Sequence, residues 1–166
     1  MRRAKRPVTK LAGPYGHPFH PGLVAVPIGA FVLSIAFDVA SFFAADAELF
    51  VKMAFWSIAA GVVSALAAAV FGLLDLLAIP RGTKVFAVGI THMSLNLAVV
   101  VLFAVSFLLR RNALDVAPVA TAPFVLSLCA IVLLGVAGWL GGELAYRFGV
   151  RVADEDVQAE GFVKRS

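Results

Sequence analysis

The sequence predicts an all-α polytopic membrane protein, a four-transmembrane-helix bundle with both termini cytoplasmic. Three observations carry that expectation. Of 166 residues, 61% are hydrophobic and only 14% charged, with a mean hydropathy of +0.96, far from the composition of a water-soluble domain. Four apolar runs, at about 22–44, 54–79, 85–109 and 122–146, each reach or approach the roughly 17–25 residues needed to cross a bilayer. These runs are continuous and rich in Ala, Leu, Val and Phe, whereas barrel strands would show alternating segments of about ten residues.

Taken in order, residues 1–16 are basic and broken by Pro and Gly, which predicts a mobile arm. Residues 17–148 form the transmembrane domain. Pro21 suits the first turn of its helix, where a missing amide costs nothing, and Pro27 is expected to kink or restart it. The second span stops at Pro80, and Pro80-Arg81-Gly82-Thr83 is a tight turn that sets spans two and three antiparallel. Asp46 and Glu48 mark the loop before span two, and residues 115–118 the loop before span four. Residues 149–166 read as a polar, solvated tail. Spans two and four each end with an acid shortly before a base, Asp75 then Arg81 and Glu143 then Arg147. A duplicated helical hairpin would leave such a pattern.

Orientation follows from Lys and Arg beside the spans. Arg2, Arg3, Lys5, Arg6 and Lys10 precede the first, Arg81 and Lys84 lie in the second loop, and Arg147, Arg151, Lys164 and Arg165 follow the fourth. The positive-inside rule makes that side cytoplasmic and the membrane the cell inner (plasma) membrane, with Arg110 and Arg111 in conflict on the other side. The net charge of +4 is spread along membrane boundaries, so it points to anionic headgroups of the lipid bilayer and not to nucleic acid. The single Cys129 lies inside span four as a small apolar residue and permits no intrachain disulfide.

Ionisable groups inside a bilayer are costly and mark sites by default. Asp75 lies five residues before Pro80, about 7 Å into the membrane at 1.5 Å per residue. His92 lies about 12 Å in and Glu143 about 6 Å in, by the same rise. His17 and His20, in His17-Pro18-Phe19-His20-Pro21, cap the same face. The expectation is therefore a cytoplasmic-side site of His17, His20, Asp75, His92 and Glu143. Asn96 shares a helical face with His92 and supports it, and Arg147 is the i+4 neighbour of Glu143 and a partner for it. Asp75 has no base at helical spacing. On the opposite side Asp38, flanked by Ser34 and Ser41, reads as interfacial or bonded to a hydroxyl. Small residues Ser64, Ala68 and Gly72 on span two, and Gly138 with Gly142 on span four, predict close helix packing.

The segments His17-Pro-Phe-His20-Pro-Gly-Leu-Val, Pro27-Ile-Gly29, Gly72-Leu-Leu-Asp75, His92 with Asn96, and Gly138-Trp-Leu-Gly-Gly-Glu-Leu-Ala-Tyr146 together resemble the family of predicted bacterial membrane proteins catalogued as domain of unknown function 2231. The resemblance covers about residues 16–148. It implies a redox setting, because some similar sequences are joined to Rieske iron–sulfur or cytochrome domains. Relatives often carry His where Glu143 stands, a departure that disfavours haem ligation there and leaves a carboxylate acceptable to iron, zinc or manganese.

Three functions compete on this sequence. The first is a redox-related protein whose His/Asp/Glu site binds haem b or a transition metal, in company with a redox protein or respiratory complex. The second is a proton-coupled transport module, which with only four helices needs to work as a homo-oligomer. The third is a non-catalytic membrane anchor or assembly subunit. No nucleophile elbow, phosphate loop, zinc-finger spacing or dinucleotide fingerprint occurs, so no catalytic residue is assigned.

Overall fold

The structure, a computed structural model, describes residues 2–163. Lys164 and Arg165, counted above among the cytoplasmic charges, lie outside the described residues. Every regular element among the described residues is helical. A short helix α1 (Arg2–Lys5) and a single 3₁₀ turn (Lys10–Ala12) lead into α2 (Phe19–Leu23) and α3 (Ala25–Ala40), which together make the first span. The other spans are α4 (Ala47–Leu77), α5 (Lys84–Arg110), and α6 (Thr121–Gly142) extended by a π-helical turn at Glu143–Arg147. A short helix, α7 (Glu155–Ala159), and a 3₁₀ turn at Glu160–Phe162 are the last elements among the described residues. All four spans are long and apolar enough to cross a membrane.

Local chemistry sets the breaks. The expected restart near Pro27 falls at Val24, whose backbone conformation closes α2 and opens α3. Pro21 and Pro27 each occupy the third residue of their helix, inside the first turn, where no amide is required. Thr83 caps α5 by accepting from the Phe86 amide at 3.2 Å, and Gly82, at φ +77, makes the turn that feeds it.

The helices run up and down, with α3 packed on α4, α4 on α5 and α5 on α6, and α3 also touching α6. A spacing of 72 residues separates His20 from His92, Phe31 from Phe103, Ser34 from Ser106 and Asp38 from Arg110. Three of these pairs are in contact: the His20 and His92 rings meet edge-on, Phe31 and Phe103 stack at 3.9 Å, and Asp38 pairs with Arg110. These residues, and not the acid–base ends of spans two and four, relate the two hairpins.

The apolar core divides in two. One cluster, Phe31, Ile58, Val99, Phe103 and Ala130, fills the middle of the bundle, and a second, Ala4, Leu76 and Ile79 with Phe86, Leu144 and Val150 against it, closes one end. Ala4 belongs to the N-terminal arm. The arm expected to be mobile is docked: Ala4 and Ala12 are buried, Arg151 N–H donates to the Ala4 carbonyl at 2.9 Å, and the Asp154 carboxylate meets Lys5 at 3.3 Å and the Tyr15 hydroxyl at 2.9 Å. The tail expected to be solvated is the other half of this clasp. Cys129, expected among core residues, is exposed and faces outward from α6.

Candidate metal centre at a paired-histidine layer

The five residues expected to form one site separate into a histidine pair, two carboxylates held in separate ion pairs, and an exposed His17. His20, on the second residue of α2, sets Nδ1 3.0 Å from the Ala68 carbonyl of α4. His92, two turns into α5, sets Nδ1 2.8 Å from the Ala137 carbonyl of α6. A carbonyl oxygen only accepts, so Nδ1 of each ring is the donor, and each neutral imidazole keeps its lone pair on Nε2. Metal-binding histidines are oriented in this way, by a backbone or carboxylate acceptor on the other ring nitrogen.

Glycines make room for both rings, and each lies four residues beyond the accepting alanine. A Cβ on Gly72 would sit 2.9 Å from His20 Cε1, and one on Gly141 would sit 3.1 Å from His92 Cε1. The ring centroids are 6.4 Å apart with planes nearly perpendicular at 88°. Asn96 folds back on His92, its Nδ2 donating to the His92 carbonyl at 2.8 Å and lying 3.3 Å from Nε2. The pair occupies the layer between the two apolar clusters, flanked by Phe86 and Leu76 on one side and Val99 and Ala130 on the other.

The remaining expected members lie elsewhere. His17 is exposed on the approach to α2. Glu143 pairs with Arg147 at 2.9 Å on the π-helical turn, the arrangement its i+4 spacing allowed. Asp75, left without a base by its sequence neighbours, is met by Arg151 of the tail, with Nε 2.8 Å from Oδ1. That contact is a charge pair without hydrogen-bond alignment, so Arg151 Nε and Nη1 and Asp75 Oδ1 are buried without aligned hydrogen-bond partners among the described residues. Arg151 Nη2 also donates to the carbonyls of Ala12 and Gly13 at 2.9 and 3.0 Å. Its positive φ of 61° lets one residue bridge arm, α4 and tail. Among the described residues, no three of His, Cys, Asp and Glu converge as a metal-binding group, so the carboxylates are corrected from ligands to clasp and surface partners.

The small residues also divide. Ala68 and Gly72 serve the His20 ring, and Ser64 returns its hydroxyl to the Ala60 carbonyl of its own helix at 2.6 Å. Gly138 is exposed, and a Cβ there meets nothing within 4 Å, while one on Gly142 meets only the Tyr146 side chain, at 3.9 Å. The close approach expected of Gly138 and Gly142 is therefore not made within this chain, and Gly141 is the packing glycine of α6.

The opposite end holds what sequence reading missed. Asp38 and Arg110 have side chains 0% and 2% exposed and form a bidentate pair, Nη2 to Oδ2 at 2.7 Å and Nη1 to Oδ1. Arg110 Nε donates to Ser106 Oγ at 3.1 Å, and Nη2 reaches Ser127 Oγ at 3.3 Å. Asp38 is bonded to a guanidinium rather than to a hydroxyl, and Arg110 is no loop charge. The signal available was an acid and a base at the same depth on alternate spans.

Comparison with known proteins adds one match. The family described as predicted membrane protein (DUF2231) matches residues 16–154. The chain belongs to that family. No curated protein and no solved structure matches it. The matched region takes in the four spans together with Arg151 and Asp154, so the tail side of the clasp lies within the family's bounds.

Proposed function

We propose that this multi-pass membrane protein is redox-related and that His20 and His92 are the residues that would hold a b-type haem. The observation that carries the reading is the pair itself: two imidazoles on different hairpins, each held through Nδ1 by a backbone carbonyl, with Nε2 of His20 left to bind and Nε2 of His92 engaged by the Asn96 amide at 3.3 Å. The ring centroids are 6.4 Å apart, so a group held between the rings would be within reach of both. With two imidazoles and no third convergent ligand among the described residues, the layer suits a cofactor that brings its own metal-binding nitrogens better than a bare ion that needs a protein cage. Bound there, haem would supply one-electron chemistry. The chain's own contribution is to fix both rings, to half-bury them at a level between two apolar clusters, and to close the end of the bundle with the arm–tail clasp. A redox protein or respiratory complex is the partner this reading requires.

The positive-inside rule supports cytoplasmic termini in the cell inner membrane, because the Lys and Arg of the arm, the α4–α5 turn and the start of the tail outnumber Lys52, Arg110 and Arg111 on the far side.

The test is the optical spectrum of the detergent-purified protein, oxidised and dithionite-reduced, with iron measured on the same sample. A Soret band that shifts on reduction, and that is lost in His20→Ala and in His92→Ala but kept in Asp75→Asn, is the expected result. A featureless spectrum without stoichiometric metal would sink the reading and reduce the pair to hydrogen-bonded helix glue.

A further inference from the structure

We propose that the groove between the N-terminal arm and the end of α4 binds the phosphodiester headgroup of an anionic phospholipid. The groove has a volume of about 290 Å³ and is lined by Arg3, Arg6, Pro7, Val8 and Ala78. Its depth is set by the span beneath it: α4 ends at Leu77, and Ala78 is the next residue, so the groove opens where the apolar run gives way to headgroups. Two guanidiniums on one wall supply charge and bidentate donors for a phosphate oxygen pair. Pro7, Val8 and Ala78 supply an apolar lining, and Leu73 and Leu77, outside that lining on the last two turns of α4, are 47% and 46% exposed. Charge at the end of an apolar span fits a lipid better than a free anion.

The arm is held in place rather than lying loosely on the surface. Ala4, between the two arginines, is buried against Leu76 and Ile79 and bonded through its carbonyl to Arg151 N–H. Arg6 is steadied from two sides, with its guanidinium carbon 4.7 Å from the Tyr15 ring centroid and Nη2 3.9 Å from Asp154 Oδ2. Even so, its side chain remains 61% exposed. The Asp75–Arg151–Asp154 clasp, which the histidine layer does not use directly, thus acquires a role: it presents Arg3 and Arg6 at headgroup depth.

The experiment is native mass spectrometry and titration of the delipidated full chain with phosphatidylglycerol, with phosphatidylcholine, whose phosphodiester is neutralised by its own ammonium, as the zwitterionic control. Arg3→Gln/Arg6→Gln is compared with Arg81→Gln/Lys84→Gln, which removes two exposed charges at the same end outside the groove. Expected are phosphatidylglycerol adducts on the native chain, at least tenfold weaker in the groove variant and unchanged in the loop variant. Inorganic phosphate at millimolar concentration is expected not to displace the lipid. Equal binding of the two lipids, or equal losses in the two variants, would overturn the groove as a site. Displacement by phosphate would overturn the lipid as its occupant.

Discussion

The Asp38–Arg110 pair makes the strongest prediction about stability, because its effect changes sign with the way it is removed. Both side chains are buried, and the guanidinium holds two carboxylate oxygens and the hydroxyls of Ser106 and Ser127. Removing one partner leaves the other charge inside the bundle, at a cost of about 3–5 kcal/mol. At 1.4 kcal/mol per factor of ten, that is roughly a 10²- to 10⁴-fold loss in the folding equilibrium. Replacing both partners with apolar residues of similar size removes the attraction and the desolvation together, and costs about zero or stabilises by about 1–4 kcal/mol. The assay is a double-mutant cycle of Asp38→Leu, Arg110→Met and the double variant, read by reversible unfolding in mixed micelles. The expected outcome is two damaging single changes and a double change milder than either. Single losses below about 1 kcal/mol, or additive effects within about 0.5 kcal/mol, would refute the claim that the two charges are buried against each other.

The remaining predictions concern the histidine layer and the clasp. Gly72→Ala and Gly141→Ala push a methyl group into the His20 and His92 rings and should lower haem retention, whereas Gly138→Ala meets nothing and should retain haem fully; equal retention in all three would disprove the cradle. Arg151→Ala leaves Asp75 buried without its charge partner and should expose the arm to proteolysis between Arg6 and Tyr15, with a loss of about 3–5 kcal/mol expected for a broken buried pair; a protease-resistant arm would contradict the clasp. The Tyr15 hydroxyl and then Lys5 hold the Asp154 carboxyl below its ordinary value of 3.8. Its contribution is therefore complete above that value and is lost as pH falls through the lower folded-state value. Hydrogen exchange of the arm should rise only in that acid window, and Asp154→Asn should abolish the pH step; a step centred near neutrality would rule out Asp154 as its source.

How legible the candidate site was depended on whether its partners were close in sequence. Glu143 with Arg147, and Asn96 with His92, are one helical turn apart, and spacing alone placed them. Asp75 looked unexplained because its base, Arg151, lies on a tail whose composition reads as solvent-exposed. Asp38 and Arg110 were each assigned to a boundary for the same reason, since two half-apolar spans do not state which of their faces meet. His20 and His92 were singled out by residue type, but hydropathy said nothing of their pairing or of the two carbonyls that orient them. A duplicated hairpin was read from the acid–base ends of spans two and four, whereas the residues in contact at the common 72-residue spacing are others.

Composition and the length of the apolar runs determined by themselves that the chain is a four-span helical membrane protein, because a bilayer leaves backbone polar groups no partner outside a helix or a closed barrel. Tertiary structure decided which buried charges are neutralised and by whom, that arm and tail form one clasp, and that two histidines 72 residues apart meet with their rings perpendicular. Those outcomes depend on helix rotation and on the fit of glycine against ring and arginine against carboxylate, and such contacts between distant segments exist only once the helices have packed.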